Sequence, residues 1–384
     1  MNLRVLHFAS GDGWGGAERV IETLVRSTRH HVEVEALLLN HGALEEALHA
    51  LDVPVAILPE TNCSFLALRR AVRRFLAQER FDVIHCHRYK ELLLALLCTQ
   101  PDRSRIVLTV HGLQPFRQLS WRDFVPLWGS LLAARWRGVA FVAVSQELAE
   151  RLARAPLCAR VDLIPNPIPA IGQGEALPDL RARFGWSADR PIVGFFGRLE
   201  HVKGPDLFLE IARHGPPQAG WVVVGWGSMG EAMKARSEAL GLSDRVGFLG
   251  MVPEAAPLLR QLDVLAMTSR HEGTPMALLE SAECAVPVVA FDVGGIPKLL
   301  EDAPRTWRVE EANVHAFAAA LAHVLGDLPA ARAAARVWSE SIRAHYAQEV
   351  VRDRYLALYR SETRTAPSDA EQGASMTTRS RSGN

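Results

Sequence analysis

The sequence predicts two doubly wound α/β domains, each built on a parallel sheet with helices on both faces. Three observations support this prediction. Short apolar runs of strand length alternate with stretches of helical period, a proline-rich segment interrupts the alternation near the middle, and the same alternation then starts again. At 384 residues, the chain is long enough for two domains with buried cores of their own.

In the first half, the apolar runs are nearly continuous, which is typical of strands that are buried on both faces of a parallel sheet. The predicted strands are Leu3–Ala9, Val32–Leu39, Val53–Leu58, Val83–His85, Ile106–Val110 and Phe141–Val144. Between them, Ala17–Thr28 and Leu66–Ala77 have the spacing of amphipathic helices. We expect residues 1–168 to form the N-terminal domain.

The alternation stops at Ile164–Pro169, where three prolines fall within five residues. Because prolines are unsuited to a helix interior or a central strand, we predict a linker that leads through 169–190 into the second domain. Residues 191–344 are expected to form that domain. Its predicted strands are Pro191–Phe196, Trp221–Val224, Val246–Leu249, Val264–Thr268 and Val288–Phe291.

The end of the chain has a different pattern. The stretch Ala330–Arg360 predicts one long helix that can include a kink. Residues 362–384 contain hardly any apolar side chain and are predicted to be disordered.

Composition narrows the functional classes. Lys plus Arg and Asp plus Glu both number 43, so the net charge is zero, which argues against a general nucleic-acid-binding protein. The five cysteines form no CxxC pair and are expected to be reduced. The N-terminus lacks the apolar core of a signal peptide, and the leucine-rich run Leu92–Cys98 is far shorter than the roughly 20 residues of a membrane span. The sequence therefore predicts a cytoplasmic protein without a spanning segment.

Each half carries a G-x-G-x-x-G loop directly after a predicted strand. The glycines are Gly11, Gly13 and Gly16 in the first loop and Gly225, Gly227 and Gly230 in the second. Such loops expose amides at a helix N-terminus, where phosphate or carboxylate binds, although either loop alone could equally be a simple turn. A dehydrogenase would also need an acid at the end of its second strand, where this chain has Asn40. The duplication favours two Rossmann-like halves and weakens the nicotinamide alternative.

The most informative segment is Ser269–Glu280. Thr274 is a good N-cap and Pro275 a good first helical residue, so we predict that a helix begins here. A diphosphate at this N-terminus would meet free amides and the positive end of the helix dipole. Glu272 lies in the preceding loop, and Glu280 lies roughly 7–8 Å further along the helix. The two carboxylates could therefore bind hydroxyls on either side of the diphosphate, as a nucleotide sugar requires.

Two cations that could neutralise a diphosphate are Arg198 and Lys203. Arg198 directly follows the predicted strand Pro191–Phe196, at the carboxyl edge where open α/β sheets bind ligands. Lys203 precedes another predicted helix start at Gly204–Pro205. Loop cations are usually only solvated, but both fall at the same edge as the two glutamates, so the joint interpretation is favoured.

Both halves of the chain contain short motifs, which differ from one another. They are GGAE at Gly15–Glu18, HG at His111–Gly112, VS at Val144–Ser145, IPNPI at Ile164–Ile168, GRLEHVKG at Gly197–Gly204, EGTPMALLE at Glu272–Glu280 and PVVAFDVGGIP at Pro287–Pro297. In these motifs and in their order, the sequence resembles the family 4 glycosyltransferases, also called group 1 glycosyltransferases. That family has the two-domain GT-B architecture.

The resemblance implies two Rossmann-like domains that face a cleft, with the acceptor on the N-terminal side, the nucleotide sugar on the C-terminal side and a helix at about 345–361 crossing back to the first domain. It implies a retaining transferase that moves a sugar from a nucleoside-diphosphate donor to a hydroxyl acceptor, without a metal or other cofactor. Polysaccharide, lipopolysaccharide or glycolipid biosynthesis would be the setting. The alternatives are a nucleotide-sugar epimerase of the same fold and a non-catalytic nucleotide-sugar-binding protein.

The resemblance also implies roles for individual residues. The catalytic set would be His111, Arg198, Lys203 and Glu272. The donor would contact Gly15, Gly16, Arg198, Lys203, Glu272, Gly273, Thr274, Pro275 and Glu280. Within this set the two cations would hold the diphosphate, Glu280 the ribose, and Glu272 with the following amides the donor sugar.

Three positions depart from the usual pattern of the family. Lys298 follows GGIP where Glu is common, Ala285 stands where Gly usually precedes the Val-Pro pair, and Pro167 replaces the Gly of Pro-Asn-Gly. The residues implied as phosphate and sugar ligands are all retained.

Three further features have two interpretations each. His85 and His87 would lie on one side of a strand, but no third ligand with recognisable spacing follows, so lining of the site is favoured over metal binding.

A basic helical face is either solvated or a surface for anionic lipid on the inner membrane face; its arginines are Arg69, Arg70, Arg73 and Arg74. An aromatic segment that includes Trp121 and Trp128 is either core and rim or a dock for a lipid-linked acceptor.

Overall fold

A computed structural model describes residues 3–61, 63–100, 103–112, 133–154, 160–169, 179–252 and 256–361. Two compact units make up the chain. The first runs to Ile164 and resumes at Arg352, and the second is Pro165–Val351. The boundary therefore falls at Ile164 rather than at residue 168, and the predicted disordered tail, 362–384, lies outside the described residues.

The first unit contains a seven-stranded parallel sheet with the order β3-β2-β1-β4-β5-β6-β7. Its strands are β1 (Arg4–Ala9), β2 (Glu33–Leu38), β3 (Val55–Ile57), β4 (Val83–Cys86), β5 (Arg105–Val110), β6 (Ala140–Ala143) and β7 (Arg160–Leu163). Its helices include α1 (Gly16–Thr28), α2 (Ala43–His49), α3 (Phe65–Gln78), α4 (Tyr89–Cys98) and α5 (Gln146–Ala153). The sequence missed β7, because this edge strand is exposed or half-buried at every position and has no continuous apolar run.

The second unit contains a six-stranded parallel sheet with the order β10-β9-β8-β11-β12-β13. Its strands are β8 (Ile192–Phe196), β9 (Gly220–Val224), β10 (Val246–Gly250), β11 (Val264–Met267), β12 (Val288–Phe291) and β13 (Arg308–Val309). Its helices are α6 (Leu180–Phe184), α7 (Pro205–His214), α8 (Gly230–Ala239), α9 (Ala256–Leu259), α10 (Met276–Glu283), α11 (Ile296–Leu299), α12 (Val314–Gly326) and α13 (Leu328–Tyr346), with short 3₁₀ turns at His201–Lys203 and Arg305–Trp307. The predicted class, two Rossmann-like α/β halves, is confirmed.

The predicted C-terminal helical stretch is present and is interrupted by a turn at Ala347, between α13 and α14 (Gln348–Arg360). From Arg352 onwards, α14 belongs to the first unit. Arg105 of β5 donates hydrogen bonds to the carbonyl oxygens of Leu358 and Tyr359, at 2.9 and 2.8 Å. The helix therefore returns to the first unit, as the resemblance implied.

No single helix among the described residues is long and apolar enough to cross a membrane. One pair, Val314–Gly326 with Leu328–Arg360, passes the length and composition test together, but it is bent by 99°.

The proline-rich segment Ile164–Pro169 is buried. Asn166 donates from Nδ2 to the carbonyl oxygen of Thr274 at 3.3 Å, and the amide of Ile168 donates to the carbonyl oxygen of Tyr346 at 2.8 Å. These bonds fix the segment within the second unit. Without amide hydrogens at its prolines, it can be buried with few donors left to satisfy.

Each sheet has a switch point, where the strand order reverses. It lies between β1 and β4 in the first sheet and between β8 and β11 in the second. Open α/β sheets bind ligands beyond the carboxyl ends of the strands at such points. The residues that follow these four strands are therefore the first place to look for a site.

Candidate functional site

At the second switch point, the loops after β8 and β11 are joined by an ion pair. Lys203 Nζ lies 2.7 Å from each carboxylate oxygen of Glu272, and Ser269 donates from Oγ to Glu272 Oε1 at 2.6 Å. Glu272 is only 6% exposed, and a buried carboxylate needs such partners. The sequence placed Lys203 and Glu272 in one site but did not predict that they pair with each other.

The main chain from Glu272 to Thr274 packs against the glycines of the GGIP motif, Gly294 and Gly295. The amide of Gly295 donates to the carbonyl oxygen of Glu272 at 3.0 Å. A Cβ atom at Gly294 or Gly295 would lie 1.9 Å from the carbonyl oxygen of Glu272 or Gly273, so no larger residue fits at either position. Together with the bond from Asn166 to Thr274, these contacts fix the peptide that presents Glu272.

The helix after this peptide begins one residue later than predicted. Pro275 is the N-cap of α10 and the first helical residue is Met276, so Thr274 is not the N-cap. Pro275 has no side chain that could occupy the amides of the first turn, which leaves that end open to a ligand's oxygens. Glu280, 2% exposed, lies on the same helix.

Arg198 is exposed in the loop after β8 and makes no ion pair with the residues that the structure describes. Its loop rests on the second glycine loop, since the amides of Gly197 and Leu199 donate to the carbonyl oxygens of Val224 and Trp226, at 3.1 and 2.8 Å. A Cβ atom at Gly225 would lie 1.8 Å from the carbonyl oxygen of Gly197. The second glycine loop therefore supports the loop that carries Arg198.

At the first switch point, the glycine loop after β1 is tied to the loop after β4 through Glu18. The amide of Gly15 donates to Glu18 Oε2 at 3.1 Å, and Arg88 donates from Nη2 to Glu18 Oε1 at 2.9 Å. Gly16 is the first residue of α1, so the GGAE motif forms the start of that helix. In the sequence, Glu18 stands out only as part of the GGAE motif. Its bond to Arg88 joins residues that are 70 positions apart, so the local sequence does not indicate it.

Four histidines gather at the same sheet edge. His111 follows β5, and its Nε2 lies 3.4 Å from Nδ1 of His87; Nε2 of His87 in turn lies 3.1 Å from Nδ1 of His7 in β1. His85 is bonded separately, through Nδ1 to the hydroxyl of Tyr359 and through Nε2 to that of Thr109, both at 2.7 Å.

Burial lowers the pKa of His7 to about 3. Burial, followed by the nearby Arg88 guanidinium, lowers the pKa of His111 to about 4. The pKa values of His85 and His87 also fall well below the usual histidine value, chiefly because of burial. These imidazoles are therefore neutral at pH 7.

By distance alone, His7, His85 and His87 could hold a metal ion, because one ring nitrogen from each lies within 4.8 Å of the others. The sequence missed His7 as the third member, although β1 and β4 are neighbours and His7 lies opposite His85 in their register. Both ring nitrogens of His85 and both of His87 already have hydrogen-bond partners. This bonding pattern favours lining of the site over metal binding.

The basic face predicted on the third helix is present on α3. Arg70, Arg73 and Arg74 are exposed and Arg69 is half-buried, while Leu68, Val72 and Leu76 face the core. Phe65 and Leu66, at the start of the same helix, are 43% and 61% exposed. Trp121 and Trp128 lie outside the described residues.

Two of the departures from the family pattern have clear surroundings. Lys298 is exposed on α11 and pairs with Glu301. Ala285 has a φ of +51°, in the left-handed region that glycine adopts without strain, which explains why the family usually has Gly here.

Comparison with known proteins finds relatives of one family and solved structures with the same fold. The model of glycosyl transferases group 1 matches residues 178–340, and that of glycosyltransferase family 4 matches residues 14–170. The 2-deoxystreptamine N-acetyl-D-glucosaminyltransferase of Streptomyces fradiae is 32% identical over 73% of this chain and 71% of its own. The D-inositol 3-phosphate glycosyltransferase of Xylanimonas cellulosilytica is 28% identical over 90% and 89% of the two chains. The crystal structure of Anabaena HepE with UDP and glucose superposes with a TM-score of 0.80 at 21% identity, over 93% of this chain and 99% of its own.

The fold thus defines a GT-B protein, and an ion pair joins two loops at the switch point of its second unit. The chain belongs to the group 1, or family 4, glycosyltransferases, and the resemblance found in its motifs is confirmed. It is a transferase enzyme of that family.

Proposed function

We propose that this enzyme transfers a sugar from a nucleoside-diphosphate sugar to a hydroxyl acceptor, with retention of the anomeric configuration. The observation that carries the proposal is the loop pair at the second switch point, where Lys203 pairs with Glu272 in the loop that leads into the open N-terminus of α10, and Arg198 lies in the same loop as Lys203. A diphosphate needs positive charge and free amides, and a sugar needs buried carboxylate oxygens; this arrangement offers all of them.

In this proposal Arg198 binds the diphosphate directly, because its guanidinium is exposed in the loop after β8. Lys203 shares its charge between Glu272 and the phosphate, and Glu272 with the amides of Gly273 and Thr274 holds the donor sugar. Glu280 binds the ribose. As the bond between the anomeric carbon and the phosphate oxygen breaks, the two cations stabilise the charge that develops on the leaving diphosphate.

From the first unit, we propose that His111 contributes to the catalytic centre, and that Gly15 and Gly16 border the donor and the acceptor. The fixed bonds among Gly15, Glu18 and Arg88 support this role, because they hold the glycine loop at the carboxyl edge of its sheet. The neutral imidazole of His111 suits an uncharged sugar hydroxyl better than a phosphate.

We also propose that transfer needs no metal. Arg198, Lys203 and the first amides of α10 can supply electrostatically what a divalent cation supplies in other transferases. The names of the relatives favour transfer over the epimerase alternative.

The acceptor is proposed to be a saccharide or a lipid-linked saccharide, in polysaccharide, lipopolysaccharide or glycolipid biosynthesis. The exposed apolar and basic residues at the surface of α3 support a lipid-linked acceptor and a peripheral position on the cytoplasmic face of the membrane. Two of the relatives are named for the soluble cyclitols 2-deoxystreptamine and D-inositol 3-phosphate, which are therefore the alternatives to test.

The test is a donor screen with purified protein. Release of free UDP, GDP or ADP is followed from a panel of nucleotide sugars, with lipid extract, with each cyclitol and with no acceptor, in the presence and absence of EDTA. We expect release from one donor class that depends on an acceptor and persists in EDTA, and NMR of the product should show the anomeric configuration of the donor. Inversion, a strict metal requirement or epimerisation without an acceptor would each refute the corresponding part of the proposal.

A further inference from the structure

Three of the histidines at the first switch point form a single hydrogen-bonded array. His87 is its centre, bonded through Nδ1 to His111 and through Nε2 to His7. The rings of His7 and His87 are nearly parallel, with an interplanar angle of 13°, and those of His87 and His111 make an angle of 21°. We call His7, His87 and His111 the histidine array; His85, bonded to Thr109 and Tyr359, is not part of it.

The number of protons in the array is limited. Burial lowers the pKa of all three imidazoles, so at pH 7 each is neutral and carries one N–H proton. Two of these three protons must occupy the two hydrogen bonds between the rings. The third proton must then be at one end, either on Nε2 of His7 or on Nδ1 of His111.

The two ends differ in their surroundings. Nε2 of His7 and Nδ1 of His111 are both buried atoms that have no hydrogen-bond partner among the described residues. His7 is 1% exposed within the sheet, whereas His111 is half-buried in the loop after β5. A ligand bound at the carboxyl edge of the sheet can supply an acceptor to Nδ1 of His111 once the half-buried side chain turns toward it, whereas Nε2 of His7 stays enclosed within the sheet. An unpaired N–H in the core costs more than an unpaired ring lone pair, so the third proton belongs on His111 once a ligand is bound.

We propose that His87, backed by His7, is a positioning residue that fixes His111 as the tautomer with its proton on Nδ1. His111 then meets its ligand as a hydrogen-bond donor, and the oxygen that it contacts is an acceptor such as a sugar hydroxyl oxygen. This inference rests on the proposed place of His111 in the catalytic centre, but the tautomer itself can be measured without any activity.

The chain offers a conservative and a disruptive variant of His87. In His87→Gln, the amide nitrogen can still donate toward His111 and the amide oxygen can still accept from His7, so the polarity of the array is kept. In His87→Leu, neither bond can form. We expect kcat/KM to stay near that of the wild type in His87→Gln and to fall about 10–100-fold in His87→Leu, as is typical when the partner that orients a functional histidine is lost.

The decisive readout is the tautomer. In protein labelled with ¹⁵N-histidine and loaded with a nucleotide sugar or the nucleoside diphosphate plus sugar, long-range ¹H–¹⁵N correlation identifies the protonated ring nitrogen. A His111→Gln variant assigns the signals. We expect His111 to be protonated on Nδ1 in the wild type, in His87→Gln and in the control His85→Gln. We expect it to be protonated on Nε2 in His87→Glu, because a carboxylate at this position can only accept a hydrogen bond from His111.

A wild-type His111 protonated on Nε2 overturns the inference, even if His87→Glu fails to fold. A Nδ1 proton that persists in folded His87→Glu overturns it as well, because the group at position 87 would then not decide the tautomer. Stoichiometric binding of Zn²⁺ by the wild type that is lost in His7→Gln would also overturn it, since the ring nitrogens would then be metal ligands. If His111→Gln keeps full activity while the tautomer result holds, the proposed catalytic place of His111 fails and the inference about the array stands.

Discussion

At the switch point of the first sheet, neutral imidazoles gather beside the ion pair of Glu18 and Arg88, whereas that of the second sheet has charged side chains: the pair of Lys203 and Glu272, and the exposed Arg198. Both sheets are parallel, both reverse their strand order at the first strand, and both place a glycine loop at the start of a helix. The shared fold therefore decides where ligands bind, and the loop residues decide which chemistry is offered there. A nucleotide sugar has two corresponding parts, a charged diphosphate and an uncharged sugar.

Two of the buried carboxylates, Glu272 and Glu91, differ in whether a partner is present among the described residues. Glu272 in the second unit is satisfied by Lys203 and Ser269. Glu91 on α4 in the first unit is fully buried, and no other described residue donates a hydrogen bond to its carboxylate oxygens. Burial therefore raises the pKa of Glu91 to about 7, although Arg88 and Lys90 oppose the shift.

The largest expected effect tests the charged side of the comparison. In Arg198→Ala, the leaving diphosphate loses a charge-assisted donor, so turnover should fall about 10²–10³-fold. The matched control is Arg213→Ala, which removes an exposed arginine from α7. Initial rates of nucleoside diphosphate release check the prediction, and activity within a few-fold of the wild type in Arg198→Ala would contradict it.

Lys203 requires a second variant because it is paired. Lys203→Ala should also nearly abolish turnover, but it leaves the buried carboxylate of Glu272 without its cation. We therefore expect Lys203→Ala to unfold at a lower temperature, and the double variant Lys203→Ala, Glu272→Gln to recover stability without recovering activity. Recovery of activity in the double variant would show that Lys203 acts only as the partner of Glu272.

The next effect concerns stability and pH in the first unit. The pKa of Glu91 is raised from 4.5 to about 7 in the folded protein, so its contribution to stability is complete below pH 4.5 and is lost as the pH rises through about 7. Glu91→Gln removes this loss and should gain about 3 kcal/mol relative to the wild type between pH 4.5 and 8.

Denaturant unfolding of both proteins across this pH range measures the difference. The comparison uses the difference in unfolding free energy between the two proteins because both also contain His7 and His111. The lowered pKa values of these histidines destabilise the fold as the pH falls below 6.5, which is opposite to the effect of Glu91. A difference between the wild type and Glu91→Gln that does not vary with pH would contradict the prediction.

The smallest effect extends the comparison to the surface of the first unit. Each basic side chain contributes about 1 kcal/mol at an anionic membrane, so the arginines of α3 should give modest binding that salt weakens. The protein should co-sediment with anionic but not with neutral liposomes. Replacing Arg69, Arg70, Arg73 and Arg74 with Glu should abolish binding, and replacing them with Lys should preserve it. Sedimentation that is indifferent to these changes would leave α3 as a solvated face.

Local pattern was sufficient to predict the strands, because buried parallel strands are continuous apolar runs; most of the described bounds lie within one or two residues of the predicted ones. The edge strands Arg160–Leu163 and Arg308–Val309 and the position of the turn at Ala347 were not predicted, since none of them has a distinctive local sequence.

The proximity of Lys203 and Glu272 in the second unit could be predicted because the two residues lie within two short motifs. The histidine array could not be predicted, because His7, His87 and His111 come from three separate parts of the chain and meet only through the strand order.

The most direct test of the central claim is the affinity for the free nucleoside diphosphate of the active donor, measured by calorimetry in the wild type, Arg198→Ala and His111→Gln. If the second sheet binds the diphosphate and the first contributes to sugar transfer, Arg198→Ala should bind about 10–100-fold more weakly, which corresponds to the loss of one charge-assisted hydrogen bond. His111→Gln should bind the nucleoside diphosphate as the wild type does while losing turnover. Unchanged affinity in Arg198→Ala, or an equal loss in His111→Gln, would contradict this division between the two sheets.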